Sequence, residues 1–252
     1  MPDDNRLEEK FLSQEAEKRI SEKLDEAEKI DIDVQTDLLK IVQGQADGVS
    51  ITGKGLVIKE DIRIQEIKLQ TDSIAINPFS ALFGQIELNE AVNAIARIVL
   101  TEVDMNRTLA SDYVSSQMQN FDLDVDGEIV SFEPQKIQVF LPGEGKIECR
   151  GRLLLKEKGN TRPLAYTAVL RPRTQSQPAM LESFNCTEGE GVSVELVTAL
   201  MQKVKELMNL PSLKWEGMAF KIKDIKVEKG SLTLLVETQV KQIPSSITEL
   251  SL

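Results

Sequence analysis

The stretch from Gly48 to Leu109 constrains this chain more than any other, because nearly all of it alternates apolar and polar residues with a period of two. Val49 and Ile51, Ile62 and Ile64, Ile67 and Leu69, then Ile74 and Ile76 each take every second position. The longest run follows: Ile86, Leu88, Val92, Ala94, Ala96, Ile98 and Leu100 share one parity, broken only by Glu90. The other parity carries Gln85, Glu87, Asn89, Asn93 and Arg97, with Ile95 and Val99 as exceptions. Successive side chains of a strand point to opposite faces, so such a segment has one greasy face and one mostly wet face. That is the pattern of an antiparallel sheet open to water on one side. Strands this long exceed the usual length of about five or six residues, which predicts an elongated sheet curled around something apolar.

The same alternation returns later. Phe121, Leu123 and Val125 lead to Asp126-Gly127, a hairpin signal, and Ile137, Val139 and Leu141 lead to turns at Pro142-Gly143 and Gly145. Ile147, Cys149, Leu153 and Leu155, a turn at Gly159-Asn160, and Leu164 to Leu170 continue a meander. Arg171 and Arg173 around Pro172 read as an edge-strand stop, and residues 173–178 as a loop. Met218, Phe220, Ile222, Ile225 and Val227, then Leu232, Leu234 and Val236, predict a last hairpin around Lys229-Gly230. Gly53 and Gly55 flank Lys54 and read as a turn, since no Lys-Ser or Lys-Thr opens a helix after them.

Three helices are expected. Residues 6–29 carry a narrow stripe, Leu12, Ala16, Ile20, Leu24 and Ala27, on an otherwise charged segment. Such a helix either lies on a membrane or partner, or docks on its own sheet; its acidic polar face and small apolar residues favour docking. A second helix, residues 104–118, starts at Thr101 with Asp104 in the place of the usual Glu or Gln of a capping box. The third begins at Ser193: Val194, Val197, Leu200, Met201, Val204, Leu207 and Met208 follow 3-4 spacing until Pro211. Alone, that stripe reads as a core seam. Thr36 is expected to cap a short turn over residues 37–42, closed by Gly44. The fold class is α+β: a long, curled, mostly antiparallel sheet wrapped around amphipathic helices. The expected organisation is an N-terminal amphipathic helix over residues 1–29 and a single domain over residues 30–252.

Composition excludes several functions. The chain has 252 residues and a net charge of −11, which opposes nucleic acid, whose binding needs a basic patch, and strong attachment to anionic lipid. Histidine is absent, which removes Ser-His-Asp and Cys-His catalysis and histidine zinc ligation together. Cys149 and Cys186 are too few for a disulfide framework and read as small buried hydrophobes. Asp31 and Asp33 alternate with Ile30, Ile32 and Val34 as the wet face of a strand, and no calcium loop surrounds them. No cofactor, metal site or catalytic residue is expected. No run of about 18 apolar residues exists for a membrane-spanning helix. The acidic start, PDDNRLEEKF, lacks the apolar core of a secretory signal, so the expected compartment is the cytoplasm, at most peripheral to a membrane.

One loop stands out. After Asn77-Pro78 come Phe79, Leu82 and Phe83 before Gly84. Three large apolar residues in a turn-flanked segment either plug the underside of the sheet or form a membrane-contact tip.

The run SITGKGLVI…INPFSALFGQIEL…ARIVLTEVDMNRTL, with GEGVSVELVTAL and KQIPSS further on, resembles the LmeA-like phospholipid-binding family over most of the chain, most closely its branch from photosynthetic bacteria. The resemblance rests on turns and strands and contains no catalytic signature. It implies a relation to tubular lipid-binding (TULIP, BPI-like) folds, in which a long helix packs into a curled sheet and the gap holds acyl chains. On that reading the stripe of the Ser193 helix doubles as a ligand wall. The expected lipid contacts are Val197, Met201, Val204 and Met208 from the helix, with Val92, Ala94, Ala96 and Ile98 from the longest strand. The expected function is non-catalytic binding or carriage of a lipid in a groove between helix and curved sheet, with transient membrane contact. The alternative is a scaffold or protein-interaction protein with a filled core.

Overall fold

The computed structural model describes residues 3–22, 24–58, 62–77, 87–112, 114, 121–174, 177–188, 192–208, 213–215 and 218–240. In chain order the first elements are α1 (Asp3–Ser21), β1 (Lys29–Gln35), α2 (Leu38–Val42), β2 (Gln45–Ala46), β3 (Gly48–Ile58), β4 (Ile62–Thr71), β5 (Ile74–Ala75), β6 (Val92–Thr101) and α3 (Glu102–Ala110). There follow β7 (Phe121–Val125), β8 (Glu128–Gly143), β9 (Lys146–Glu157), β10 (Asn160–Arg171), β11 (Met180–Glu188), α4 (Val194–Met208), β12 (Leu213–Trp215), β13 (Met218–Glu228) and β14 (Ser231–Val240). The class is α+β with mostly antiparallel sheet. Seven strands form one sheet in the order β1-β3-β4-β6-β14-β13-β12, five form another in the order β11-β10-β9-β8-β7, and β2 pairs with β5. The chain groups into two compact units: Met1–Val99, Pro211–Lys223 and Leu234–Leu252, and Leu100–Leu210 with Asp224–Thr233.

In the first unit the alternation of β6 resolves as expected: Val92, Ala94 and Ala96 are buried, whereas Ile95 is 53% exposed. Sheet edges leave unpaired N–H groups that attract other chains, and here α1 finishes the β1 edge with side chains. Ile32 N donates to Glu17 Oε1 at 3.0 Å, Val34 N to Ser13 Oγ at 3.2 Å, and Thr36 N to Glu9 Oε1 at 3.4 Å. The geometry follows from two rises. Four helical residues advance about 6 Å and two strand residues about 6.6 Å, so every fourth side chain of the helix meets every second amide of the strand. The helix therefore docks on its own sheet. It stops at Ser21 rather than at residue 29, because Asp25 N donates to Val57 O at 3.0 Å and Glu28 N to Lys54 O at 3.1 Å. The chain has joined the sheet before the charged pattern ends.

Three other expectations change. The cap of α2 is Asp37, whose side chain accepts from Lys40 N, while Thr36 is buried and donates to Gln45 O at 2.9 Å. Gly53 and Gly55 do not turn the chain: both lie inside β3, and a left-handed φ of 56° at Gly55 bends the strand without reversing it. Strand β10 does stop at Arg171, but it is interior, with β11 beside it. The missed β11 reads MLESFNCTE, where Glu182 breaks the apolar run; Arg171 and Lys146 pair with that carboxylate at 2.5 and 3.3 Å and hold it below the usual range.

In the second unit the meander is confirmed. Asp126 and Gly127 take positive φ, 52° and 85°, as a tight two-residue hairpin requires. Thr101 caps the helix as predicted: Asp104 N donates to Thr101 Oγ1 at 3.1 Å, and Asp104 Oδ2 accepts from the Thr101 hydroxyl at 2.6 Å. Helix α3 repeats the edge device of α1. Asn106 Oδ1 accepts from Val139 N at 2.8 Å and Glu102 Oε2 from Leu141 N at 2.6 Å, four helical residues against two of β8.

One sheet is strongly curled, and the contacts of α4 assign a curl to the five-stranded one. Helix α4 packs against both β7 and β11, its two edge strands. Five flat strands would hold those edges about 19 Å apart, against a helix diameter of about 10–12 Å. A single helix reaches both only if the sheet rolls toward it. Leu196 of α4 fills the concavity with Leu123, Val130, Phe132, Leu153, Leu155 and Leu164.

The edge contacts of α1 give a first test. The double variant Ser13→Ala/Glu17→Ala is expected to lose about 1–3 kcal/mol. Amide exchange at Ile32 and Val34 should accelerate while that of Ala94 and Ala96 changes little. Unchanged exchange at Ile32 and Val34 would remove α1 as the edge cover.

Candidate functional site

Helix α4 carries both halves of the candidate site. Ser193 starts it: Leu196 N donates to Ser193 Oγ and Val197 N to Ser193 O, both at 3.1 Å. At 100° per residue, the positions from Leu196 through Leu200, Val197 and Met201 to Val194 sweep about 160° of the helix, and Ala199 lies about 60° beyond Leu196 with Lys203 between them. The polar residues Glu195, Thr198 and Gln202 occupy the remainder and are exposed.

The curled sheet covers only one half of that apolar arc. Leu196 is 3% exposed, and Ala199 and Leu200 pack against the same cluster. Phe121 stacks on Phe132 there, with ring centroids 4.7 Å apart. The other half is uncovered: Val194 is 76% exposed, Met201 42%, and Val197 half-buried. The sequence stripe of Val194, Val197, Leu200 and Met201 is therefore not one core seam. Leu200 joins the core with Leu196 and Ala199, which lie off that stripe, and Val194 and Met201 face out. Spacing of 3 and 4 marks a line through an apolar arc; on an arc this wide it does not mark the middle of the buried half.

Of the expected contacts, Val197 and Met201 thus lie on or beside an open apolar flank. Val204 and Met208 belong to the same helix, but their side chains lie outside the described residues. Val92, Ala94 and Ala96 are buried and Ile98 is half-buried in the first unit, on the inward parity of β6. The loop of Phe79, Leu82 and Phe83 lies outside the described residues. No helix among the described residues is long and apolar enough to cross a membrane.

The two cysteines flank Tyr166 without meeting. Cys149 is opposite Ala168 and Cys186 opposite Tyr166, so strand β10 separates them. Two strand spacings are about 9.5 Å, beyond the about 7 Å that a disulfide spans between Cα atoms. Both are free thiols. Burial, with Glu148 nearby, pushes the Cys149 thiol up to about 11, and burial followed by Cys149 raises the Tyr166 hydroxyl. Tyr166 lies over Gly151 and stacks on Phe184 at 5.5 Å between centroids. A neutral, half-buried thiol with a raised pKa is a packing group and a poor nucleophile.

Two measurements check this assignment. Leu196→Ala should cost about 2–5 kcal/mol, as a core truncation, whereas Met201→Asp should stay within about 0.5 kcal/mol of wild type, as a surface change; equal losses in thermal melts would contradict the two-faced helix. Cys149 should resist iodoacetamide in the folded protein until pH approaches about 11. Because its native pKa is raised, the stability it contributes is present below about pH 9 and is lost as pH rises toward 11.

Comparison with known proteins completes the description. The sequence pattern of the family described as LmeA-like phospholipid-binding matches residues 4–237. No curated protein and no solved structure matches the chain. With an apolar helix flank uncovered beside a filled, curled sheet, and with the match running through nearly every element, the chain belongs to the LmeA-like phospholipid-binding family.

Proposed function

We propose that this protein binds a phospholipid or a similar long-chain lipid without catalysis, and that the acyl chain lies along the uncovered flank of α4. The observation that carries the reading is the two-faced helix: Val194 and Met201 are exposed on a helix whose opposite apolar face is already buried. The family's phospholipid binding supports it. Beneath Leu196 the concavity is filled by side chains, Leu155 and Phe132 being 0% and 1% exposed. The proposed groove is therefore the border between the helix flank and the sheet around it, running from Val197 and Met201 toward Val204 and Met208. Val92, Ala94, Ala96 and Ile98 are proposed as a separate apolar wall in the first unit. Methionine suits such a surface because its unbranched thioether adapts to irregular apolar shapes.

The energetics are sufficient without charge. A buried methylene contributes about 0.8 kcal/mol, so a dozen offer on the order of 10 kcal/mol before ordering costs. A carrier of this kind meets its membrane transiently, through apolar contact. The same filled core also favours a second reading, a non-catalytic scaffold whose helix flank docks another protein.

Native mass spectrometry of the full chain, incubated with mixed phospholipids, separates the two. Bound lipid in the wild type, falling several-fold in Met201→Asp with an unchanged melting temperature, is the expected result. Absence of lipid from the wild type after incubation would leave the scaffold reading. Equal occupancy in both proteins would move the ligand away from this flank.

A further inference from the structure

The inner face of the seven-stranded sheet changes character as it crosses from β1 to β14. The register sets Ile32 opposite Ile51, Ile51 opposite Leu69, and Leu69 opposite Ala96. Branched side chains thus run down to alanine at β6, where Ala94 and Ala96 are 4% and 6% exposed. Both end at Cβ, so the inner side of β6 is a shallow trough of methyl groups, with Ile98 at one end. One bank is β4, which sets Leu69 beside Ala96 and Thr71 beside Ala94. The other is β14, the next strand of the sheet, whose inward parity carries Val236 and Thr238, 7% and 9% exposed. On the outer face Gln239 Nε2 donates to Asn93 Oδ1 at 3.3 Å. The neighbours of those two residues turn inward, which places Thr238 at the Val92–Ala94 end of the trough, away from Ile98.

Thr238 is chemically out of place there. Among the described residues, its Oγ1 is the buried side-chain polar atom without a hydrogen-bond partner. The other buried hydroxyls are bonded: Thr36 Oγ1 donates to Gln45 O and Ser111 Oγ to Thr108 O. On the opposite bank the Thr71 hydroxyl accepts from Val49 N at 2.9 Å. Burying a hydroxyl with no partner is unfavourable, and valine has nearly the same shape without that penalty. An unpaired hydroxyl beside a methyl-lined trough is matched to an apolar group that brings its own acceptor.

We propose that the β6 trough binds an acyl ester, with Thr238 Oγ1 donating to the ester carbonyl and the hydrocarbon lying along Ala94 and Ala96 toward Ile98. Methylenes ask for no polar partner and gain from leaving water. The ester carbonyl is the acceptor at the head of such a chain, and the hydroxyl stands at the corresponding end of the trough. The contact is between neutral groups, so a chain of net charge −11 can make it without a basic residue. It also discriminates: an ether-linked chain has no carbonyl and leaves the hydroxyl with a poorer acceptor. The inference rests on the lipid reading above and extends it, by naming the linkage that the first-unit wall recognises.

Native mass spectrometry of the full chain tests it, after incubation with an equimolar mixture of diacyl phosphatidylcholine and its dialkyl ether analogue. The wild type is expected to retain the diacyl form about two- to tenfold over the ether, the worth of one neutral hydrogen bond. Thr238→Val should bring that ratio to about one, and Thr238→Ser should keep it. Lipid-free Thr238→Val should melt at or above the wild-type temperature, because no hydroxyl is left unpaired. In Met201→Asp, which disables the α4 flank, the preference should persist. A diacylglycerol and dialkylglycerol pair identifies the source. Preference in that pair as well makes the acyl ester the ligand whatever its headgroup, and preference in the phosphatidylcholine pair alone makes it a phospholipid; either supports the site. Equal retention of both lipids by the wild type and Met201→Asp would overturn the inference and leave the lipid reading standing. So would a preference that survives Thr238→Val or vanishes in Met201→Asp, or a Thr238→Val protein that melts lower or fails to fold. A wild type that binds no lipid would overturn both.

Discussion

Backbone hydrogen bonding at strand edges governs this architecture. A strand side with no neighbouring strand presents amides that must find partners, and two such sides are completed by helix side chains: that of β1, and that of β8 past Phe132, where β7 no longer pairs with it. Glu9, Ser13 and Glu17 of α1 serve β1; Glu102 and Asn106 of α3 serve β8. The match of about 6 Å to about 6.6 Å that permits this is a property of the two backbones. It lets polar residues dock a helix that has little apolar surface to offer, which accounts for Leu7 and Phe11 of α1 remaining exposed while the helix stays in place.

Helix α4 meets its sheet through curling. The five-stranded sheet rolls until α4 touches β7 and β11, and Leu196 fills the space enclosed. That arrangement consumes one half of the apolar arc of α4 and strands the other. A second apolar face on a helix is costly to leave in water unless something covers it. The lipid proposed above would cover it, in keeping with the phospholipid binding of the family to which the chain belongs. The outer face of the same sheet is charged and polar, with Lys136, Arg150 and Arg152 on strands β8 and β9 and Glu188 opposite Ala165.

Much of this was legible in the residues because strand alternation and capping are local. The inward parity of Val92, Ala94 and Ala96, the Asp126-Gly127 hairpin, the Thr101 cap and the final hairpin around Gly230 each depend on neighbours within a few positions. The errors arose where a local signal was outvoted. Gly53 and Gly55 look like a turn, but pairing of Gly53 and Lys54 with β1 and β4, resumed with β4 at Leu56, keeps β3 running in one direction past them. The charged pattern of the first helix continues to residue 29, but pairing with Val57 and Lys54 captures the chain first. Strand β11 escaped notice because its alternation is diluted by Glu182, whose charge is neutralised by Arg171 and Lys146 from other strands.

The sequence by itself determined that the chain forms one-faced strands and an α4 helix with a broad apolar arc, since period and propensity are written in consecutive residues. It also determined that no histidine-based chemistry is available. Only the tertiary structure decided which half of that arc is buried, because the choice depends on where β7 and β11 arrive, and those strands are some 70 and 10 residues away along a chain of compact sheets. The grouping of cations on the outer face has the same origin. Arg150 and Arg152 share a face by alternation alone, but Lys136 joins them only through the register of β8, shifted by a bulge between Pro134 and Lys136. A one-residue slip would send Lys136 to the core face, and no stretch of sequence read alone fixes that register.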